Sequence, residues 1–298
     1  MLIKTIRHFL SAIKEGDYLS LARVLTLVEN DLPGAADLLS DLDINQDIPV
    51  IGITGPPGAG KSTLVNAIVG RLSARQKKVA ILAVDPTSPF NLGSLLGDRI
   101  RMSAHFNDPS VFIRSVATRG SVGGLSAKII EMVDVLRSAA FEYIIVETVG
   151  VGQSEIEIAG LADLTLVVLV PEGGDEIQHI KSGLMEIGDA FIVNKADREG
   201  AASFANQLRK MLHQRTQLIP IFETIADKQV GVDALLDWVY TSKMATNKRK
   251  LFLYTEKAFK LIQTYRMRDI SKIELEKRIA ETYLHNNFSL YKIISHYK

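Results

Sequence analysis

The residues Gly55-Pro56-Pro57-Gly58-Ala59-Gly60-Lys61-Ser62-Thr63 carry the spacing GxxxxGK[ST], a pattern suited to gripping a nucleotide polyphosphate. Its glycines let the backbone turn so that successive N–H groups face the phosphates at a helix N-terminus. In such a loop Lys61 reaches the β- and γ-phosphates and the Ser62 hydroxyl ligates Mg²⁺. Asn194-Lys195-Ala196-Asp197 is a second constellation. Its Asp197 carboxylate can accept hydrogen bonds from the two donors on the guanine edge. Adenine presents an acceptor there, so the carboxylate would be left unpaired and ATP rejected. The same string also reads as a helix N-cap at Asp197. A further guanine-contacting loop is expected at Thr224-Ile225-Ala226-Asp227, working through backbone N–H groups, with Ile225 where many GTPases carry Ser.

Carboxylates near these loops are the candidates for metal and switch chemistry. Glu147, at the end of the apolar run Tyr143–Val146, is placed to hold Mg²⁺ or its waters, and the Gly150 N–H to bond the γ-phosphate and report its loss. Asp85 ends an earlier apolar run in the same way, and Asp98 is a third candidate near the metal or the attacking water. Asp85 and Asp98 also read as ordinary loop or capping carboxylates. Val151 follows Gly150 where Ras-like GTPases place a water-orienting Gln. Slow intrinsic hydrolysis is therefore expected, with the site completed by a conformational change or a partner. The water-activating group stays open among Asp98, Gln153 and the switch segments.

Short β-branched runs must position these residues. Val50–Thr54, Val79–Val84, Tyr143–Val146, Leu164–Val170, Phe191–Val193 and Ile219–Phe222 alternate with segments of helical length. Near-continuous apolar strands between helices indicate an α/β fold with a mostly parallel sheet covered on both faces. Helical arms flank it. Asp17 is expected to cap a helix over Tyr18–Glu29, and Pro33-Gly34 to break it before Ala35–Leu42. Residues 1–48 hold four basic and eight acidic side chains, and 243–298 hold thirteen basic and five acidic. That asymmetry divides the chain into an N-terminal helical arm (1–48), a P-loop GTPase domain (49–242) and a basic C-terminal extension (243–298).

Composition removes other classes. The chain has 298 residues and no cysteine, which excludes disulfides, thiolate metal sites and Cys nucleophiles. A net charge of +1 gives no ground to expect an attraction of the whole molecule to nucleic acid or membranes. The opening stretch places charges among apolar residues at helical spacing, and no run is long enough to span a membrane, so a cytoplasmic location is expected. Aromatics of the basic extension, among them Phe252, Phe259, Tyr265 and Tyr291, keep helical periodicity and are expected to pack between helices rather than stack on bases.

Taken together, the strings GPPGAGKST (55–63), VDPTSPF (84–90), GSLLGDRIRM (93–102), RSVATRGSVGGLS (114–126), ETVGVGQSE (147–155) and NKAD (194–197) resemble the MeaB/ArgK family. The resemblance covers essentially 15–240. It implies a P-loop G domain of the SIMIBI type and a GTPase that acts as a chaperone of adenosylcobalamin-dependent methylmalonyl-CoA mutase, gating cofactor loading and protecting the mutase. GTP/GDP and Mg²⁺ are the implied ligands. Lys61 and Ser62 would contact phosphate and Mg²⁺, and Asp85, Asp98 and Glu147 would be the metal and switch carboxylates. The segment Pro171–Gly183, with Lys181, corresponds to a signalling loop, and family members commonly dimerise through helical extensions. Two alternatives stand beside this one: a nickel-inserting GTPase for metallocentre assembly, and a GTPase whose basic arm contacts nucleic acid.

Overall fold

The computed structural model describes residues 2–85, 102–117, 128–148, 154–171, 182–213, 218–242, 248–283 and 288–297. The chain divides into two compact units, Met1–Lys250 and Leu251–Lys298.

The first unit is built on seven strands: β1 (Val50–Thr54), β2 (Val79–Asp85), β3 (Val111–Ala117), β4 (Tyr143–Glu147), β5 (Leu164–Leu169), β6 (Ala190–Asn194) and β7 (Ile221–Thr224). They lie in the order β3-β2-β4-β1-β5-β6-β7, and every pairing is parallel. Alternate residues of one strand enter different cores. Ile192 of β6 packs with Ile51, Ile53 and Leu64, whereas Phe191 and Val193 pack with Val167, Phe204 and Leu208. Gly52 has no room for a side chain, since a Cβ there would lie 2.6 Å from Ile158 Cγ1. The central strand is thereby pressed directly against the helix Ser154–Leu161.

Six of these strands follow the apolar runs of the sequence, and β3 is an addition. Its run, VFIRSVA, is interrupted by Arg114 and Ser115. The reason lies in its position: among the described residues it pairs with β2 alone, at the sheet edge. An edge strand is not enclosed like a central one, so it need not be uniformly apolar. The N-terminal arm covers it. Helices α1 (Leu2–Lys14), α2 (Tyr18–Glu29) and α3 (Ala35–Ser40) form this arm. Asp17 caps α2 as expected, accepting from the Leu19 and Ser20 N–H groups at 3.0 and 3.3 Å. From β3, Arg114 pairs with Glu29 at 2.5 Å. Tyr18 stacks on Phe141 and donates to the Pro109 carbonyl at 2.9 Å.

At the N-terminal edge of the sheet, a buried ion pair gathers four chain segments. The Arg137 side chain is fully buried and donates to Gln46 Oε1 at 2.7 Å and to Asp163 Oδ2. The same Oδ2 accepts the Val50 N–H at the start of β1, and Oδ1 accepts Lys250 at 2.9 Å.

The second unit contains most of the helix Lys248–Arg266, then Lys272–Tyr283 and the short Leu290–Ile294. Its helical character agrees with the sequence, but the expected packing of its aromatics does not hold. Phe252, Phe259, Tyr265 and Tyr291 stand exposed, by 59–80%. Tyr283 and Phe288 form a ring pair, and Arg278 lies over Tyr297. Three helices in a 48-residue unit leave too little interior to enclose such a set. Among the described residues, no helix is long and apolar enough to cross a membrane.

The buried pair generates a prediction. Asp163→Ala removes the carboxylate facing a desolvated guanidinium, a change that typically costs roughly 3–5 kcal/mol. Urea denaturation should show a loss of that order. A loss below about 1 kcal/mol would show that Asp163 does not hold the segments together.

Candidate functional site

The phosphate loop leaves β1 through Gly55, whose φ of 140° lies outside the range of other residues. A Cβ at Gly55 would sit 2.0 Å from the Val168 carbonyl oxygen. The loop then crosses Pro56–Ala59 and closes at Gly60, φ 85°, which precedes the helix α4 (Lys61–Ala74). A Cβ at Gly60 would meet Asn194 Nδ2 at 2.4 Å. Both glycines are therefore required by close approach as well as by backbone angle. Lys61 is 93% buried, and its ammonium donates to the carbonyls of Gly55 at 2.9 Å and Pro56 at 3.1 Å. The cation is thus arched over its own loop, at the positive end of α4.

One residue further along α4, Ser62 Oγ donates to Glu147 Oε1 at 2.6 Å. Glu147 ends β4, in register with Ile53 of β1 on one side and Ala83 of β2 on the other. That register puts Glu147 at the C-terminal edge of the sheet, and Thr148 fastens it by donating to Thr54 Oγ1 at 3.0 Å. Asp85 lies at the same edge, two residues beyond Ala83 on β2. Two hard oxygen donors in contact, a hydroxyl and a carboxylate, fit a Mg²⁺ ion that retains several waters. Among the described residues, no group of three or more His, Cys, Asp or Glu side chains gathers to hold a metal, here or elsewhere.

Asn194 joins the loop Gly55–Gly60 to the loop after β7. It is buried and donates from Nδ2 to the Ala59 carbonyl at 3.0 Å. Its Oδ1 accepts from Thr224 Oγ1 at 3.1 Å and from the Ala226 N–H at 3.2 Å. Three loops distant in sequence are thus pinned by one side-chain amide. Lys195 adopts a left-handed backbone, φ 57°, and the Ala196 N–H bonds to the Thr224 carbonyl at 3.0 Å. Asp197 does not cap the following helix, which spans Ala201–Leu212 with Gly200 at its N-cap. Instead its carboxylate pairs with the Lys228 ammonium at 2.8 Å. That hydrogen bond holds the Asp197 carboxyl below the usual range, so it is ionised at neutral pH.

These loops enclose a cleft of ≈ 330 Å³ lined by Gly60, Thr63, Asn194, Lys195, Asp197, Arg198, Ala226 and Asp227. The expected phosphate and base loops therefore meet at one opening. Ile225 makes a different contact, as its N–H turns to the Val230 carbonyl at 3.1 Å. The Asp85 side chain, Asp98, Gly150, Val151, Gln153 and Lys181 lie outside the described residues, as does most of the segment Pro171–Gly183. Sequence reasoning missed Lys228 and Arg198. Arg198 directly follows the NKAD string and Lys228 directly follows the Thr224–Asp227 loop, so both were within reach; the pairing of Lys228 with Asp197, 31 positions away, was not.

Comparison with known proteins accords with this geometry. The profile of the family described as methylmalonyl Co-A mutase-associated GTPase MeaB matches residues 21–280. A protein of Pyrococcus abyssi named as a GTPase is 44% identical over 240 residues, 78% of this chain and 74% of its own. A Geobacillus kaustophilus protein named fused isobutyryl-CoA mutase is 31% identical over 313 residues, 91% of this chain and 29% of that one. A solved structure of a LAO/AO transport system kinase shares the fold, with a TM-score of 0.68 at 24% identity over 98% of this chain and 96% of that one. With a family profile that spans most of its length, the chain belongs to the MeaB family of GTPases.

Proposed function

We propose that this GTPase is a nucleotide-dependent chaperone of an adenosylcobalamin-dependent acyl-CoA mutase, methylmalonyl-CoA mutase first, gating the loading of its cofactor and protecting it in turnover. A mutase client is supported by the relative named as a fused isobutyryl-CoA mutase, part of which aligns with 91% of this chain, and methylmalonyl-CoA mutase by the description of the matching family. The client acts downstream of a site whose roles follow from its chemistry. Asp197 accepts the guanine N1–H and 2-amino hydrogens, flanked by Ala226 and Asp227. Phosphate oxygens draw the Lys61 ammonium from the Gly55 and Pro56 carbonyls, because an anion is a stronger acceptor than a neutral carbonyl. Backbone N–H groups from Gly58 to Thr63 supply the rest of the phosphate cradle.

Ser62 and Glu147, with Asp85 and Asp98, are the groups that would hold Mg²⁺, which supplies charge neutralisation for the leaving phosphates. Gly150 follows Glu147 closely enough to report the γ-phosphate, and Pro171–Gly183 is the segment proposed to pass that signal to the mutase. In this scheme 49–242 is the catalytic domain, 1–48 buttresses its sheet edge, and 243–298 serves dimerisation. The exposed apolar residues of the extension, Phe252, Phe259, Ile262 and Tyr265 among them, support self-association.

GTP turnover by the full chain, alone and with saturating methylmalonyl-CoA mutase, tests the function. Slow hydrolysis alone and a rise of at least about tenfold with the mutase are expected, with ATP ignored. No stimulation would remove this client. Asp197→Asn should move preference from GTP to XTP, since the amide donates where xanthine accepts; retained GTP preference would refute the base assignment. Light scattering should give the mass of a dimer, and Phe252→Asp with Phe259→Asp should halve it. A monomeric native protein would rule out the proposed pairing.

A further inference from the structure

The ion pair between Asp197 and Lys228 joins the base-reading loop to the loop after β7, at the mouth of the cleft. Its two side chains are 41% and 60% exposed. An exposed pair of this kind contributes little to folding. Its location gives it another use. A lone Asp carboxylate at a loop end turns easily about its last torsion, which has broad preferences. Guanine recognition asks more of it, since both oxygens must lie in the plane of the base to accept two parallel hydrogen bonds.

We propose that Lys228 is a positioning residue for guanine recognition: it clamps one oxygen of Asp197 so that the carboxylate is presented edge-on to the base. This inference rests on the reading of Asp197 as the guanine acceptor. A carboxylate has about four acceptor sites, so one contact to Lys228 at Oδ2 leaves the edge needed for the purine. Lys228 is itself carried by a stiff turn. Ala226–Lys228 is a single 3₁₀ turn, and the Lys228 N–H bonds to the Ile225 carbonyl at 3.0 Å. Ile225 and Val230 form an isolated antiparallel bridge. Gly231 closes the loop at φ 77°, where a Cβ would fall 2.2 Å from the Glu223 carbonyl oxygen. The ammonium is thus delivered from a fixed backbone, and the same turn places Ala226 and Asp227 in the cleft. Orientation achieved before binding lowers the ordering cost when the nucleotide arrives.

The test compares GDP with IDP, whose hypoxanthine retains N1–H and lacks the 2-amino group. Two parallel hydrogen bonds demand an aligned carboxylate, whereas one tolerates rotation. Calorimetry on the full chain should therefore show that Lys228→Met weakens GDP about three- to fivefold, the scale of an exposed ion pair. IDP should change by less than about 1.5-fold, so that discrimination against it falls. Lys228→Arg should restore GDP affinity. Equal weakening of GDP and IDP would reduce Lys228 to a loop stabiliser and overturn the proposal. Unchanged or tighter GDP binding in Lys228→Met would overturn it too, the latter by showing that Lys228 competes with the base. Asp197→Asn in the same series separates the two claims. If it acquires XDP preference while Lys228→Met has no effect, only the present inference fails; if it keeps GDP preference, the reading of Asp197 fails first.

Discussion

A lysine ammonium enclosed by protein must have acceptors, because desolvating an uncompensated charge costs more than a domain of ordinary stability can offset. Lys61 meets this demand by arching over the carbonyls of Gly55 and Pro56. The loop takes that arch only with Gly55 at φ 140°, pressed against the Val168 carbonyl, and Gly60 at φ 85°, pressed against Asn194. Asn194 then spends its other bonds on Thr224 and Ala226. The geometry of the phosphate loop and that of the base loops are consequently one problem with one solution. A change at the Asn194 amide reaches both.

The sheet is arranged to hold this solution still. β1 carries the loop from the centre of the sheet, between β4 and β5. One end of β1 is tied to Asp163 and Arg137, and the other to Thr148. Asp163 also receives Lys250, where the chain runs on toward the C-terminal helices. The central strand is thus fixed at both ends by polar contacts and between them by the close approach of Ile158 at Gly52.

What the sequence made legible follows from how local the physics is. The phosphate loop, the NKAD loop and the strands before them are read from consecutive residues, and all sit where that reading puts them. The Asp17 cap is equally local. Edge strand β3 escaped because an edge position relaxes the demand for apolar residues, leaving Arg114 in the run to meet Glu29 from the arm. Lys228 adjoins the Thr224–Asp227 loop, but its pairing with Asp197, 31 residues away, is not local and escaped. The aromatics of the extension show the opposite error. Their periodicity gave the helices correctly, yet periodicity names no partner for the face it creates, and the helices of the second unit do not bury it among themselves.

A crystal structure with Mg²⁺ and a non-hydrolysable GTP analogue tests most directly the claim that phosphate and base are read through one connected set of polar groups. The account predicts Lys61 Nζ on the β- and γ-phosphate oxygens, both Asp197 oxygens on the guanine edge, and Asn194 still bonded to Ala59 and Thr224. A Lys61 ammonium that stayed on the Gly55 and Pro56 carbonyls, or a base lying outside the cleft bounded by Asp197 and Ala226, would contradict it.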